Sequence, residues 1–165
     1  MRPTTEKFSD SLERLFLESD RQAAHKGAEL GNVQLATRFY RALGEQDLSS
    51  AKACLAQNVY HKIHGPEDFG PSGEDSNPDA MLERMASVFG LLENQTPRAL
   101  NVVAQGDMLT IFYRDSGQVK ESGADYDVAG VHLLEFQDGK IVRLENLFDT
   151  ASLERSLKRS KAHAL

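Results

Sequence analysis

The sequence predicts an α+β domain: a curved antiparallel sheet wrapped over about three helices, with an extra helical arm at the N-terminus. The order of the elements is the first sign. Helical periodicity dominates up to about Leu92 and strand-like runs dominate after Pro97, with one early strand between the helices. The second sign is the stretch Val128 to Asp149, where two apolar runs flank Gln137-Asp138-Gly139-Lys140, a turn of the Asp-Gly type. On the first arm Gly130, His132, Leu134 and Phe136 share a face. On the second, Val142, Leu144, Asn146 and Phe148 share one face, and Ile141, Arg143, Glu145 and Leu147 the other. One face of the hairpin is therefore apolar except for His132 and Asn146. An imidazole and an amide in such a place must find hydrogen-bond partners or bind something.

Each element has its own signal. Residues 1–30 form the arm, in which Phe8, Leu12, Leu15 and Phe16 recur at helical spacing and Ser9 and Asp10 offer caps. It packs either across a partner subunit or on the domain's own surface. Residues 31–153 form the domain. Gly31 and Asn32 open a helix carried by Val33, Leu35, Ala36, Phe39, Tyr40 and Leu43, and Gly44 closes it. Asp47 caps a second helix over 48–57. Residues 58–64 alternate as a strand and stop at Gly65-Pro66. The segment 65–77, dense in Gly, Pro, Ser, Asp and Glu, reads as a mobile cover over a cavity. Asn77 and Pro78 open a third helix. Strands at 100–104 and 108–114 flank the turn Gln105-Gly106-Asp107. Residues 115–125 read as a polar excursion before the Val128 hairpin, and 154–165 as a basic tail.

Composition narrows the class. The chain has 165 residues, a net charge of −6 and a single cysteine, Cys54. That length suits one domain. Without a dense basic patch, nucleic acid and anionic membranes are poor partners, and no apolar run approaches a membrane span. One cysteine rules out an internal disulfide and a Cys-based zinc site, and fits a reducing, cytoplasmic setting. His61 and His64 are three apart, a spacing that does not converge two imidazoles from a strand, so no metal is expected.

Four pieces of the chain resemble the nuclear transport factor 2-like superfamily, the cone-shaped fold of ketosteroid isomerases, limonene-epoxide hydrolases and SnoaL-like polyketide cyclases. They are Phe39-Tyr40-Arg41-Ala42-Leu43-Gly44-Glu45-Gln46-Asp47-Leu48, the strand Val59 to Pro66, the turn Ala104-Gln105-Gly106-Asp107, and Phe136 to Asp149. Ketosteroid isomerases use an aspartate base and an oxyanion hole of a tyrosine and a neutral aspartic acid. The resemblance puts His132 at that acid, Phe39 at that tyrosine, and Ile63 or His64 at the base. Measured against the epoxide hydrolases, Tyr113 stands at an arginine position, and Asp115 and Asn146 at two aspartates, so only Asp115 survives of that set. The cyclases need only one acid/base side chain beside an apolar pocket.

The resemblance therefore implies His132, His64 and Asp115 as acid/base candidates, with Asn146, Tyr113, Phe39, Ile63 and Phe148 lining the substrate. Each has a plainer alternative: a core histidine, a strand-end histidine, a turn aspartate, a core tyrosine. His61 lies on the opposite strand face from Tyr60, Lys62 and His64, so the two histidines do not share a cavity. The implied function is cofactor-independent acid/base chemistry on a small apolar carbonyl compound: aldol cyclisation, isomerisation or dehydration. The alternative is a non-catalytic module of the same fold that holds a ligand or dimerises. The resemblance also implies a homodimer through the outer sheet face, where Thr110, Phe112, Leu133, Ile141 and Leu147 are expected. In His132, burial and a nearby Asp115 would oppose one another and leave the imidazole titrating near neutrality.

Overall fold

The structure, a computed structural model, describes residues 7–19 and 26–162. Its elements in chain order are α1 (Phe8–Ser19), α2 (Lys26–Gly44), α3 (Leu48–Ala53), β1 (Leu55–Ile63), β2 (Gly73–Asp75), α4 (Pro78–Gly90), β3 (Leu92–Glu93), β4 (Arg98–Gln105), β5 (Met108–Val119), β6 (Asp125–Gln137), β7 (Lys140–Phe148) and α5 (Thr150–Ala162). Residues 1–6 and 20–25 of the expected arm, and 163–165 of the tail, lie outside the described residues.

Among the described residues the strands form one sheet in the order β2-β1-β7-β6-β5-β3, with β4 also paired to β5. The sheet is mixed rather than purely antiparallel, because β1 runs parallel to β7. A parallel neighbour needs a long crossover, and here the chain between the two strands supplies α4 and the β3–β6 strands. The two-residue turn joining β6 and β7 has positive φ at both Asp138 and Gly139, as an Asp-Gly hairpin requires.

Several boundaries differ from the expectation. α2 begins at Lys26, so Gly31 and Asn32 lie inside it, and the expected domain boundary at residue 30 falls within this helix. Its added length is held by long-range bonds: Glu29 Oε1 accepts from the Gly106 backbone N–H (2.9 Å), and Asn32 Nδ2 donates to the Gly106 carbonyl (3.2 Å). α3 stops at Ala53, because the chain beyond it is recruited into the sheet: the Ile141 N–H donates to the Cys54 carbonyl at 2.9 Å, and Leu55 and Val59 are buried. Residues 115–125 are mostly strand. Gly117 lacks a Cβ where one would meet the Tyr126 ring at 3.0 Å, so Tyr126 can fold over β5 into the interior. Segment 65–77 is anchored: β2 pairs with β1, Phe69 is buried against Phe148, and Asp75 is ion-paired to Arg84.

On β7 the expected alternation breaks. Phe136 pairs with Ile141 but Glu135 pairs with Arg143, so one residue is bulged out. Ile141 and Leu144 therefore both point to the core, and Ile141 is not on the outer face.

The interior has two apolar clusters. The larger packs Leu12, Phe16, Val33, Phe39, Met81, Leu109, Ile111, Leu134 and Leu144 between the helices and the sheet. The smaller gathers Phe69, Leu92, Val119, Tyr126, Val128 and Leu153 beneath α5. On β5 and β6, the concave-face residues lying between these clusters are Tyr113, Asp115, Gly130 and His132.

Candidate functional site

The strand register builds the site. Ile111, His132 and Asn146 stand directly opposite one another across β5, β6 and β7, and Ile63 of β1 stands opposite Asn146. The next row is Tyr113, Gly130 and Phe148. Tyr113 belongs to β5, yet its hydroxyl donates to Asn146 Oδ1 on β7 at 2.8 Å. The ring crosses β6 over Gly130, where a Cβ would lie 2.7 Å from Tyr113 Cζ. Glycine is needed there for space.

From the helix layer, Tyr40 on α2 reaches down to His132. Its hydroxyl lies 2.7 Å from His132 Nδ1, and the two rings are nearly parallel. Among the described residues the Tyr40 hydroxyl makes no other hydrogen bond. With the Tyr40 hydroxyl donating, Nδ1 is the acceptor and the proton of the neutral imidazole sits on Nε2. By the same logic Tyr113 fixes the Asn146 amide, leaving Nδ2 as a donor. Neither His132 Nε2 nor Asn146 Nδ2 has a partner among the described residues, and both residues keep some accessible surface. Two N–H donors thus belong to directly paired residues of adjacent strands on the concave face.

The electrostatics make these groups neutral. Burial lowers the His132 pKa to about 3, with a smaller contribution from His61. The expectation of a histidine titrating near neutrality is not met, because Asp115 is not its partner. Asp115 Oδ2 accepts instead from Tyr126 (3.0 Å) and Gln95 (3.2 Å). Burial raises the Tyr40 and Tyr113 pKa values, so both phenols stay protonated. Burial also raises that of Asp115, whose Oδ1 is buried without a partner. Such an atom is costly unless it serves a purpose.

The other expected residues are placed as follows. Ile63 and Phe148 lie on the concave face, Ile63 buried and Phe148 in contact with Phe69. Phe39 is fully buried in the larger core, edge-on to Tyr40. His64 is not brought to the site: its Nε2 lies 2.5 Å from Glu145 on the outer face. The histidine of β1 that points inward is His61. It is 1% exposed, with Nδ1 2.9 Å from Asp75 Oδ2. Asp75 is gripped through both oxygens by Arg84. Burial lowers the His61 pKa despite the Asp75 carboxylate. In Asp75 burial works the other way, but the bonds from Arg84 and His61 prevail and hold its pKa down.

Sequence reasoning missed Tyr40 and passed over His61. Tyr40 is one position from Phe39, and helix periodicity does not separate neighbours at the edge of a buried face. For His61 a signal existed: Val59, His61 and Ile63 share one strand face, and its two apolar members mark it as the inner one.

Two depressions of the outer surface lie elsewhere. One, of about 650 Å³, is bordered by Lys52, Leu55 and Lys140, and the other, of about 340 Å³, by Tyr60, Asp75 and Ala80. Neither touches His132. Among the described residues no cluster of three His, Cys, Asp or Glu side chains could hold a metal ion, and no helix is long and apolar enough to cross a membrane.

No curated protein matches the chain in sequence. Solved structures share its architecture. An NTF2-like protein from Burkholderia xenovorans is 21% identical, with a TM-score of 0.69, covering 79% of this chain and 98% of its own. A hypothetical protein from Catenulispora acidiphila with a ketosteroid isomerase-like fold, solved in complex with trimethylamine, is 15% identical (TM-score 0.63; 74% and 91% covered). TerC, co-crystallised with polyporic acid, is 20% identical (TM-score 0.67; 78% and 98% covered). The family model for the SnoaL-like domain matches residues 36–144, from the middle of α2 to the core of β7. With this cone of mixed sheet and helices, the chain belongs to the SnoaL-like family.

Proposed function

We propose that the concave face binds a small, largely apolar carbonyl compound and catalyses proton transfer on it without a cofactor. The observation that carries this reading is the pair of free donors, His132 Nε2–H and Asn146 Nδ2–H. Each is fixed by a tyrosine hydroxyl, Tyr40 at 2.7 Å and Tyr113 at 2.8 Å. Preorganised donors in a dry site stabilise an oxygen that gains negative charge. A histidine with a pKa of about 3 is too weak a base to take the proton, but it is a suitable neutral donor.

Asp115 is the acid/base group in this reading. Its carboxyl has a raised pKa and one oxygen without a partner, and it shares a strand face with Tyr113. Once ligand entry uncovers the buried Asp115 Oδ1, it removes a proton from the carbon next to the carbonyl, and the C–H electron pair moves into an enolate whose oxygen rests on His132 and Asn146. The enolate then has three exits. Asp115 can return the proton to another carbon, which is isomerisation. The enolate carbon can bond to a second carbonyl carbon, whose oxygen takes the proton, which is aldol cyclisation. It can also expel a β-hydroxyl group, which leaves as water with the Asp115 proton. The ligand complexes of TerC and the Catenulispora protein support a binding role for this fold.

The test is NMR-detected exchange of the α-protons of small cyclic ketones such as 2-tetralone in D2O. Wild-type protein is expected to accelerate exchange over buffer, and His132→Leu to lose on the order of 10²-fold. A protein that binds the ketone but leaves its exchange at the buffer rate is a non-catalytic binding module.

The proposal extends to assembly as a homodimer. Phe112, Val131 and Leu147 form one cross-strand row on the outer sheet face, with Phe112 43% and Leu147 39% exposed. Light scattering should give a dimer mass for the wild type and a monomer mass for Phe112→Asp.

A further inference from the structure

The groups of the candidate site surround a side chain from outside the residues that the family model matches. Phe8 opens α1, a helix that precedes the matched residues 36–144. Its ring centroid lies 5.0 Å from that of Tyr40, 6.4 Å from Tyr113 and 6.3 Å from His132, with interplanar angles of 80°, 90° and 70°. The phenyl ring thus stands edge-on to three rings at once, a favoured arrangement for aromatic pairs. The helix behind it is docked by Leu12 and Phe16, both buried, and by an ion pair from Arg41 to Asp10 at 3.2 Å.

Phe8 itself differs from its docking partners. It packs at the margin of the larger core and is only partly buried. Its ring packs on Tyr40, Tyr113 and His132, and among the described residues His132 Nε2 and Asn146 Nδ2 have no hydrogen-bond partner. An apolar ring from the N-terminal helix thus stands among the aromatic groups that hold the two donors in place.

We propose that α1 is a built-in stopper of this site: Phe8 occupies the slot that a ligand ring takes, so ligand binding expels Phe8 and loosens the start of α1. The proposal rests on the concave face being the binding site, as argued above. It adds that the site is closed at rest. A ligand must then exceed the stability of the Phe8 contact before it binds, and measured affinity falls by the fraction of molecules that are closed.

Phenol tests this, as a phenyl ring bearing one oxygen, with benzene as the same ring without it. The proteins are the full chain and its Phe8→Ala variant, in which Leu12 and Phe16 still dock the helix. Phenol should bind Phe8→Ala at least about 10-fold more tightly than wild type, and benzene should gain less. In the wild type, saturating phenol should speed amide hydrogen exchange in the first turns of α1. Equal phenol affinity in the two proteins, with unchanged exchange in α1, overturns the stopper and leaves the binding site standing. An equal gain for benzene and phenol marks a mere hole and also overturns it. Failure of phenol to bind either protein removes the site and the stopper together.

Discussion

A Cβ at Gly130 would come within 2.7 Å of the Leu147 carbonyl oxygen and of the Phe148 and Tyr113 side chains. Two of these three contacts belong to the adjacent strand, which cannot retreat. Gly130→Ala should therefore cost about 2 kcal/mol and push Tyr113 away from Asn146, checked by thermal unfolding and by loss of phenol affinity in the Phe8→Ala background. The buried histidines give a pH signature. Burial lowers the pKa of His132, to about 3, and that of His61, whereas an unfolded histidine titrates near 6.5. Below pH 6.5 the unfolded chain binds protons that the folded chain refuses, so stability is present above that pH and falls as the solution is acidified. The melting temperature should drop from pH 7 to pH 5, and the drop should be smaller in His132→Leu. The inward aim of His132 and Asn146 was readable from strand alternation alone. The neutrality of His132 was not, because it depends on which carboxylates fail to reach it, and Asp115 is engaged by Tyr126 and Gln95.

Among the elements, β2 and its flanks carry the clearest lesson. A segment rich in Gly, Pro, Ser, Asp and Glu reads as a mobile cover, yet Asp75 ties it to β1 through His61 and to α4 through Arg84. Those tether partners lie 14 and 9 residues away in sequence, and no local pattern announces them. Asp75→Asn should remove the charge that the Arg84 guanidinium faces and cost about 3 kcal/mol in denaturant unfolding. Hydrogen exchange of residues 73–75 should rise with it, while β5 and β6 stay protected. Local chemistry was legible where it acts at short range. Asp47 and Asn77 cap α3 and α4 as expected, each side chain accepting a backbone N–H three residues on. The start of α2 was hidden because Glu29 and Asn32 are anchored to the turn at Gly106. The inward turn of Ile141 was hidden because a bulge resets the alternation after it.

At the scale of the molecule, two apolar cores bracket the polar groups of the concave face, and the sheet that joins them contains a parallel pair, β1 with β7. The strand that carries Asn146 is also the neighbour of β1, and the contact of His64, just past β1, with Glu145 of β7 spans 81 residues. This pairing has a consequence in time. As the chain leaves the ribosome, α2, α3 and α4 emerge with β1 and β2, but β1 lacks its second neighbour, β7, until the last strand of the sheet has been made. Until then Leu55, Val59 and Ile63 face water, and the N-terminal half can only collapse loosely. Closing so long a loop is entropically slow, so refolding should be limited by the docking of β7 rather than by helix formation. Nascent chains arrested before residue 140 should be degraded by protease, and those extended past α5 should resist it.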